Sequence, residues 1–151
     1  MNQLFSFGTL MDADLLSAVC GNDASAILKE PAVISDHVAL WVQNDHYPVL
    51  VPRRGVNTDG LILRNLSSEA FSRIVFFEGG EFTVQHVEVI NASGVTERLP
   101  FFADNEHAEI SDVIWHLEQW QKTTKPDTMP RVERYMQCYG KMGVDEADAY
   151  W

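Results

Sequence analysis

Two short stretches of this chain hold residues whose types and spacing could do chemistry. The first is Val75-Phe76-Phe77-Glu78-Gly79-Gly80. Ala70, Phe71, Ile74 and Val75 recur at helical spacing behind Ser67, a good N-cap, and the glycine pair stops the helix. Glu78 therefore falls at the carbonyl end of a helix, directly after three bulky apolar residues. The helix dipole disfavours a negative charge there by about 0.3–1 kcal/mol if it is exposed. Apolar neighbours raise a carboxyl pKa further by desolvation. A carboxylate made basic in this way can take up and return a proton near neutral pH, which is the work of a general base and acid. The same residues also fit a solvated glutamate turned away from the aromatic side chains.

The second stretch is Phe7-Gly8-Thr9-Leu10, at the end of an apolar run over residues 4–7 that reads as a strand. Glycine allows close backbone approach, so neighbouring N–H groups can point at one anion, with the Thr9 hydroxyl beside them. A plain tight turn fits the same letters. Elsewhere the signals are weaker. His37, His46, His86, His107 and His116 show no metal-ligand spacing. Asp45-His46, before Tyr47-Pro48, reads as a surface loop, with a pocket wall as the alternative. Arg53-Arg54 fits either a forked contact to a carboxylate or two solvated turn residues. Trp115, Trp120 and Tyr135 read as core. The sequence has no nucleophile-elbow, P-loop or dinucleotide-binding motif, so a serine hydrolase, a P-loop enzyme and a dinucleotide enzyme all fit poorly.

The elements that must position these stretches follow from pattern. Asp12 caps a helix carrying Leu15, Leu16 and Val19, closed by Gly21. Residues 32–41 hold a strand. Pro48 confines residues 47–51 to a sheet edge or strand end, 53–58 form a turn, and 60–66 form another strand. Residues 82–90 form a long strand whose apolar parity shifts between Val84 and Val87, which suggests a bulge. After a turn at 91–94, residues 95–102 are its partner. Ser111 caps a helix with Val113, Ile114, Leu117 and Trp120 on one face. Residues 123–129 look like a linker. Pro130 opens a helix bearing Val132, Tyr135, Met136 and Tyr139, and Val144, Ala147 and Tyr150 read as helical up to Trp151.

Many of the connections are too short for parallel crossovers. The expectation is an α+β fold: a mostly antiparallel, barrel-like sheet with short helices and a helical C-terminal part. The expected division is a domain over 1–122 and a helical extension over 123–151 leading toward a further domain. The length of 151 residues suits one core. A formal charge of -11 repels phosphate, which argues against nucleic acid or anionic membrane as partner. Cys20 and Cys138 give no disulfide framework or metal spacing, the start is not a signal peptide, and no window is long and apolar enough to span a membrane. The expected location is the cytoplasm. The sequence carries no signal for an oligomeric state.

Together the two stretches resemble the γ-glutamylcyclotransferase-like (AIG2-like) family. Phe5-Ser6-Phe7-Gly8-Thr9-Leu10 is similar to its strand and Tyr-Gly-Ser/Thr-Leu loop, with Phe7 in place of the tyrosine. Tyr47-Pro48-Val49-Leu50-Val51, Gly60-Leu61-Ile62-Leu63, Phe77-Glu78-Gly79 and Val87-Glu88-Val89 match further segments in order and spacing. Phe82 stands where members carry a second tyrosine. The resemblance implies a pocket that binds a γ-glutamyl group, formed by Phe7, Gly8, Thr9, Leu10 and Phe82. Glu78 would serve as general base and then acid, the substrate's α-amine would attack its own γ-carbonyl, and 5-oxoproline would be released. It implies no metal and no organic cofactor. Without the two tyrosines, a non-catalytic module binding a small γ-glutamyl-type ligand is the second expectation. Phe76-Phe77-Glu78-Gly79-Gly80-Glu81-Phe82 and the helical tail also resemble the N-terminal domain of tellurite-resistance proteins of the TrgB type, which implies a Nudix hydrolase domain C-terminal to it.

Overall fold

The computed structural model describes residues 2–104 and 109–151. Met1 and His107, the latter among the five histidines considered above, lie outside them. β1 (Leu4–Ser6) runs antiparallel to β5 (Thr58–Arg64), which pairs on its other side with β2 (Leu28–Ile34). The end of β2 pairs with β6 (Phe82–Asn91), and β6 forms a hairpin with β7 (Thr96–Asp104). β7 also touches β1, so this five-stranded sheet, in the order β1-β5-β2-β6-β7, curls toward closure. A second sheet places β3 (His37–Val42) between β4 (Pro48–Pro52) and β8 (Ile110–Ile114). Every pairing is antiparallel. The fold is α+β, with antiparallel sheets and short helices, as expected. Pro48 begins an edge strand, where its missing N–H removes no ladder bond.

The helices are α1 (Ala13–Cys20), α2 (Ser68–Glu78), α3 (Leu117–Thr123), α4 (Lys125–Met136) and α5 (Val144–Ala147). Leu15, Leu16 and Val19 of α1, Ala70 and Ile74 of α2, and Val132 and Met136 of α4 meet Phe5, Ile62 and Leu63 of the sheet in one core. Each fully buried aliphatic side chain contributes about 1.5–3 kcal/mol relative to exposure. The boundary expected after residue 122 falls in the last turn of α3, and residues on both sides of it share that core. No helix among the described residues is long and apolar enough to cross a membrane.

Several elements differ from the sequence expectation. Residues 32–41 do not form one strand: the chain reverses at Ser35-Asp36 between β2 and β3, with Asp36 at φ 57° and its carboxylate accepting from Gly55 N–H. The β6–β7 register runs unbroken from Phe82 opposite Asp104 to Ile90 opposite Thr96, so there is no bulge. The parity shift arises because Val84 is simply exposed. Ser111 caps no helix. Its hydroxyl accepts from Val113 N–H within β8, where β-branched Val113 and Ile114 suit a strand and face solvent. Residues 123–129 are not a linker, and Pro130 does not open α4. That helix starts at Lys125 with Pro126 in its first turn, where no N–H is needed, and Pro130 lies inside it.

Asp12 ties the first helix to the C-terminal third. It is buried, and its carboxylate accepts from Leu15 N–H at 2.9 Å, Gln121 Nε2 at 2.9 Å and Lys125 Nζ at 2.9 Å. Burial pushes its carboxyl pKa up, but the bonds from Lys125, Gln121 and Leu15 outweigh this and hold it below the ordinary value. A carboxylate with a lowered folded-state pKa contributes stability that is present above its unfolded value and lost as pH falls through the folded one. Asp12→Ala removes a cap and two side-chain bonds, a loss of about 2 kcal/mol at pH 7. Urea denaturation is expected to show that deficit at pH 7 and a smaller one as the pH drops below 4.

Candidate active site

Glu78 owes its place to how α2 begins and ends. Ser67 Oγ accepts from Ala70 N–H at 3.0 Å, and Ala70, Ile74 and Phe76 turn into the core. The helix stops because Gly79 takes φ 74°, a conformation that favours glycine, while its N–H still bonds Val75 O. A last-turn carbonyl that the helix leaves open, that of Phe76, accepts from the Tyr135 hydroxyl at 2.6 Å. The Phe76 and Tyr135 rings pack with centroids 4.9 Å apart.

The glycine loop is held from the other sheet. A Cβ on Gly8 would come within 3.1 Å of Pro48 Cγ, so a larger residue there would push Pro48 back by a few tenths of an ångström. Met11 N–H bonds Gly8 O, closing a 3-10 turn over Thr9–Met11. The N–H groups of Thr9 and Leu10 precede that bond and have no acceptor within the turn.

These two stretches, distant in sequence, meet around one cavity of about 310 Å³. Phe7, Gly8, Thr9 and Leu10 form one side, and Phe77, Glu78, Gly79 and Phe82 another. The volume suits a small molecule. Glu78 is half-buried, has no hydrogen-bond or ion partner among the described residues, and desolvation pushes its pKa up to about 8. Among the described residues, no group of histidine, cysteine and acidic side chains could hold a metal ion.

The chain matches the family described as "Gamma-glutamyl cyclotransferase, AIG2-like" over residues 4–136. It belongs to that family. Solved structures share the fold at low identity. A protein of Arabidopsis thaliana studied in solution is 16% identical, with 93% of each chain covered and a TM-score of 0.60. An AIG2-like protein of Mus musculus is 16% identical over 78% of this chain and 86% of its own, at 0.58. A structure titled "Gamma-glutamyl cyclotransferase" is 12% identical over 99% of this chain and 85% of its own, at 0.55. No curated protein matches the sequence.

For a γ-glutamyl cyclotransferase-like chain, two further walls of the cavity stand out. Asp45, His46, Tyr47 and Pro48 line it, so the surface-loop reading of Asp45-His46 is corrected. The legible signal was Pro48, which fixes that loop against Gly8. Tyr135, Asp148 and Trp151 supply the remaining wall, and no motif pointed to them. His46 lies between the rings of Tyr47, 5.2 Å away, and Trp151, stacked at 4.7 Å, while its carbonyl accepts from Trp120 Nε1 at 2.9 Å. Burial pushes the imidazole pKa down, Asp45 pulls it up, and nearby Arg131 lowers it again, leaving a net fall. Arg53 and Arg54 stay exposed in their turn and do not line the cavity.

The raised Glu78 pKa has a measurable stability signature. Its folded value, about 8, lies above the ordinary 4.5, so stability is fullest below 4.5, falls as pH rises from there, and levels off above about 8. Glu78→Gln is expected to match the parent at pH 4 and exceed it at pH 9, by about 1.4 kcal/mol for each unit of pKa displacement retained. Denaturation at the two pH values reads the difference directly.

Proposed function

We propose that this chain is a γ-glutamyl cyclotransferase-type enzyme that releases 5-oxoproline from a γ-glutamyl amine or amino acid, with Glu78 as general base and then acid. The observation that carries this reading is a desolvated, partnerless carboxylate sharing a small cavity with the glycine loop. The substrate's α-ammonium gives a proton to Glu78 and becomes a nucleophile. Its nitrogen attacks the γ-carbonyl carbon, the five-membered lactam forms, and the amide C–N bond breaks. The leaving nitrogen takes up the proton from Glu78. Because the attack is intramolecular, the protein mainly fixes the chain's conformation and stabilises charge on the carbonyl oxygen. The main-chain N–H groups at Thr9 and Leu10, with the Thr9 hydroxyl, are suited to hold the glutamyl carboxylate or that oxygen. Phe7 and Phe82 pack against its methylene carbons.

A second reading has one observation in its favour. Phe7 and Phe82 bring no hydroxyl to the cavity where the family resemblance leads one to expect tyrosines. On that reading the chain binds a γ-glutamyl-type ligand without turnover and regulates an attached domain of Nudix type.

Incubation with a panel of γ-glutamyl amines and amino acids, assayed for 5-oxoproline, separates the two. The enzyme reading expects turnover, a kcat/KM that climbs through pH 8, and a loss of about 10²–10⁴-fold in Glu78→Gln with the fold retained. Undiminished activity in Glu78→Gln overturns the assigned role. No turnover, combined with a ligand-dependent rise in Tm, selects the binding module.

A further inference from the structure

We propose that residues 148–151 form a strap that opens and closes one wall of the cavity, latched by Arg134 and seated through Trp151 on His46. Such a strap serves any ligand of the cavity, whichever reading of its function holds. The other walls are braced. Phe7, Leu10 and Tyr135 belong to the core, Phe82 packs against it, and the loop before Pro48 is tied by the His46 carbonyl to Trp120 Nε1 at 2.9 Å. Asp148 and Trp151 complete the lining from an element of another kind. Ala147, at the end of α5, is fully buried. After it Asp148, Ala149 and Tyr150 are all exposed, and Trp151 alone turns back in.

Few contacts hold the strap shut. The Trp151 N–H bond to Asp148 O, at 3.2 Å, is internal to it. Arg134 donates from Nε to Tyr150 O at 2.6 Å and from Nη2 to Trp151 O at 2.7 Å, so one planar fork spans two successive main-chain oxygens. The Trp151 ring stacks on His46 at 4.7 Å and meets Tyr135 edge to face at 6.0 Å. A mostly exposed segment with so few buried contacts opens locally, well before the core does. Arg134 is itself exposed and outside the lining, so it acts on the cavity through Trp151, as a positioning residue. Closure also meets an opposing term at His46. Its Nδ1 is shielded from solvent and has no hydrogen-bond partner among the described residues. Lifting the stacked ring returns the imidazole to water, where that nitrogen finds a donor. Burial disfavours a charge on the ring; Asp45, on the same loop, favours one, and Arg131 of α4 opposes it, while Asp148 lines the cavity from the strap itself. The His46 pKa therefore reports whether Trp151 is seated.

The test needs no substrate, so its failure is separate from failure of the enzyme reading. The His46 ring is titrated by NMR, and amide hydrogen exchange is measured, in the parent, Arg134→Ala and Trp151→Ala. In the parent the His46 pKa is expected below the ordinary histidine value, with the Trp151 amide exchanging about a hundredfold faster than those of Val132 and Met136 in α4. Arg134→Ala is expected to speed Trp151 exchange about tenfold more and to raise the His46 pKa, with exchange in α4 unchanged. Trp151→Ala is expected to raise the His46 pKa as well; Asp45 and Arg131 stay in place, so the rise reports lost burial. An ordinary His46 pKa in the parent shows that Trp151 is not seated and overturns the proposal. Exchange at Trp151 as slow as in α4, or an Arg134→Ala variant that speeds both equally, overturns it too. If Arg134→Ala does not fold, Trp151→Ala decides: a raised His46 pKa upholds the strap and an unmoved one defeats it.

Discussion

Keeping Glu78 half-buried in an apolar setting at the carbonyl end of α2 is unfavourable in two ways at once, and the site is organised around that cost. Desolvation penalises the charge, and the helix dipole opposes it. An unrestrained helix end would fray and let the side chain swing into solvent. The restraints sit on either side of Glu78. Before it, Phe76 gives its carbonyl to the Tyr135 hydroxyl and packs its ring against Tyr135 and Tyr139. After it, Gly79 bonds back to Val75 and turns the chain toward β6. The surroundings over-determine the position of the one residue that locally prefers to leave, which is how unfavourable functional geometry persists.

Those restraints also set the distance between the two stretches that form the cavity. Lys125, at the start of α4, binds Asp12, which directly follows the turn over Thr9–Met11. Tyr135, ten residues further along the same helix, binds the end of α2 beside Glu78. At about 1.5 Å per residue these ties stand roughly 15 Å apart along one stiff element. α4 therefore acts as a strut between the glycine loop and the carboxylate. On the opposite side Pro48 presses β4 against Gly8. The cavity is kept open by elements that approach it from two directions, and the C-terminal third is one of them.

What the sequence revealed, and what it concealed, follows from the same physics. Asp12, Ser67, Gly21 and Gly79 were legible because caps and stops act through their own neighbours. The Gly8 loop and Glu78 were legible because a glycine at a strand end and an acid after three apolar residues are locally anomalous. Residues 110–114 were misread because Val113 and Ile114 fit a helical face as well as a strand, and only pairing with β3 decides between them. Pro130 was misread as a helix start because its missing bond is offset by Val132, Tyr135 and Met136, whose burial depends on α1 and α2. Asp148 and Trp151 carry no local signature, and Asp45 and His46 have only the neighbouring Pro48. They become a wall only when Trp151 stacks on His46, a contact between residues more than a hundred positions apart.

The phenylalanines at 7 and 82 bear on the chemistry in a way their loss of a hydroxyl conceals. A tyrosine beside Glu78 could donate to the carboxylate, which would stabilise the charged form and lower its pKa. Phenylalanine at both positions brings no such donor to the cavity, and the pKa stands near 8 with desolvation as its cause. A carboxylate with no partner among the described residues is free to take one from a ligand. On the proposed reaction, the substrate's α-ammonium would supply both the charge that makes ionised Glu78 acceptable and the proton that Glu78 must remove. On the proposed reaction the phenylalanines and the raised pKa would be one arrangement: neither ring donates to Glu78, so its strongest hydrogen bond would go to the group that reacts.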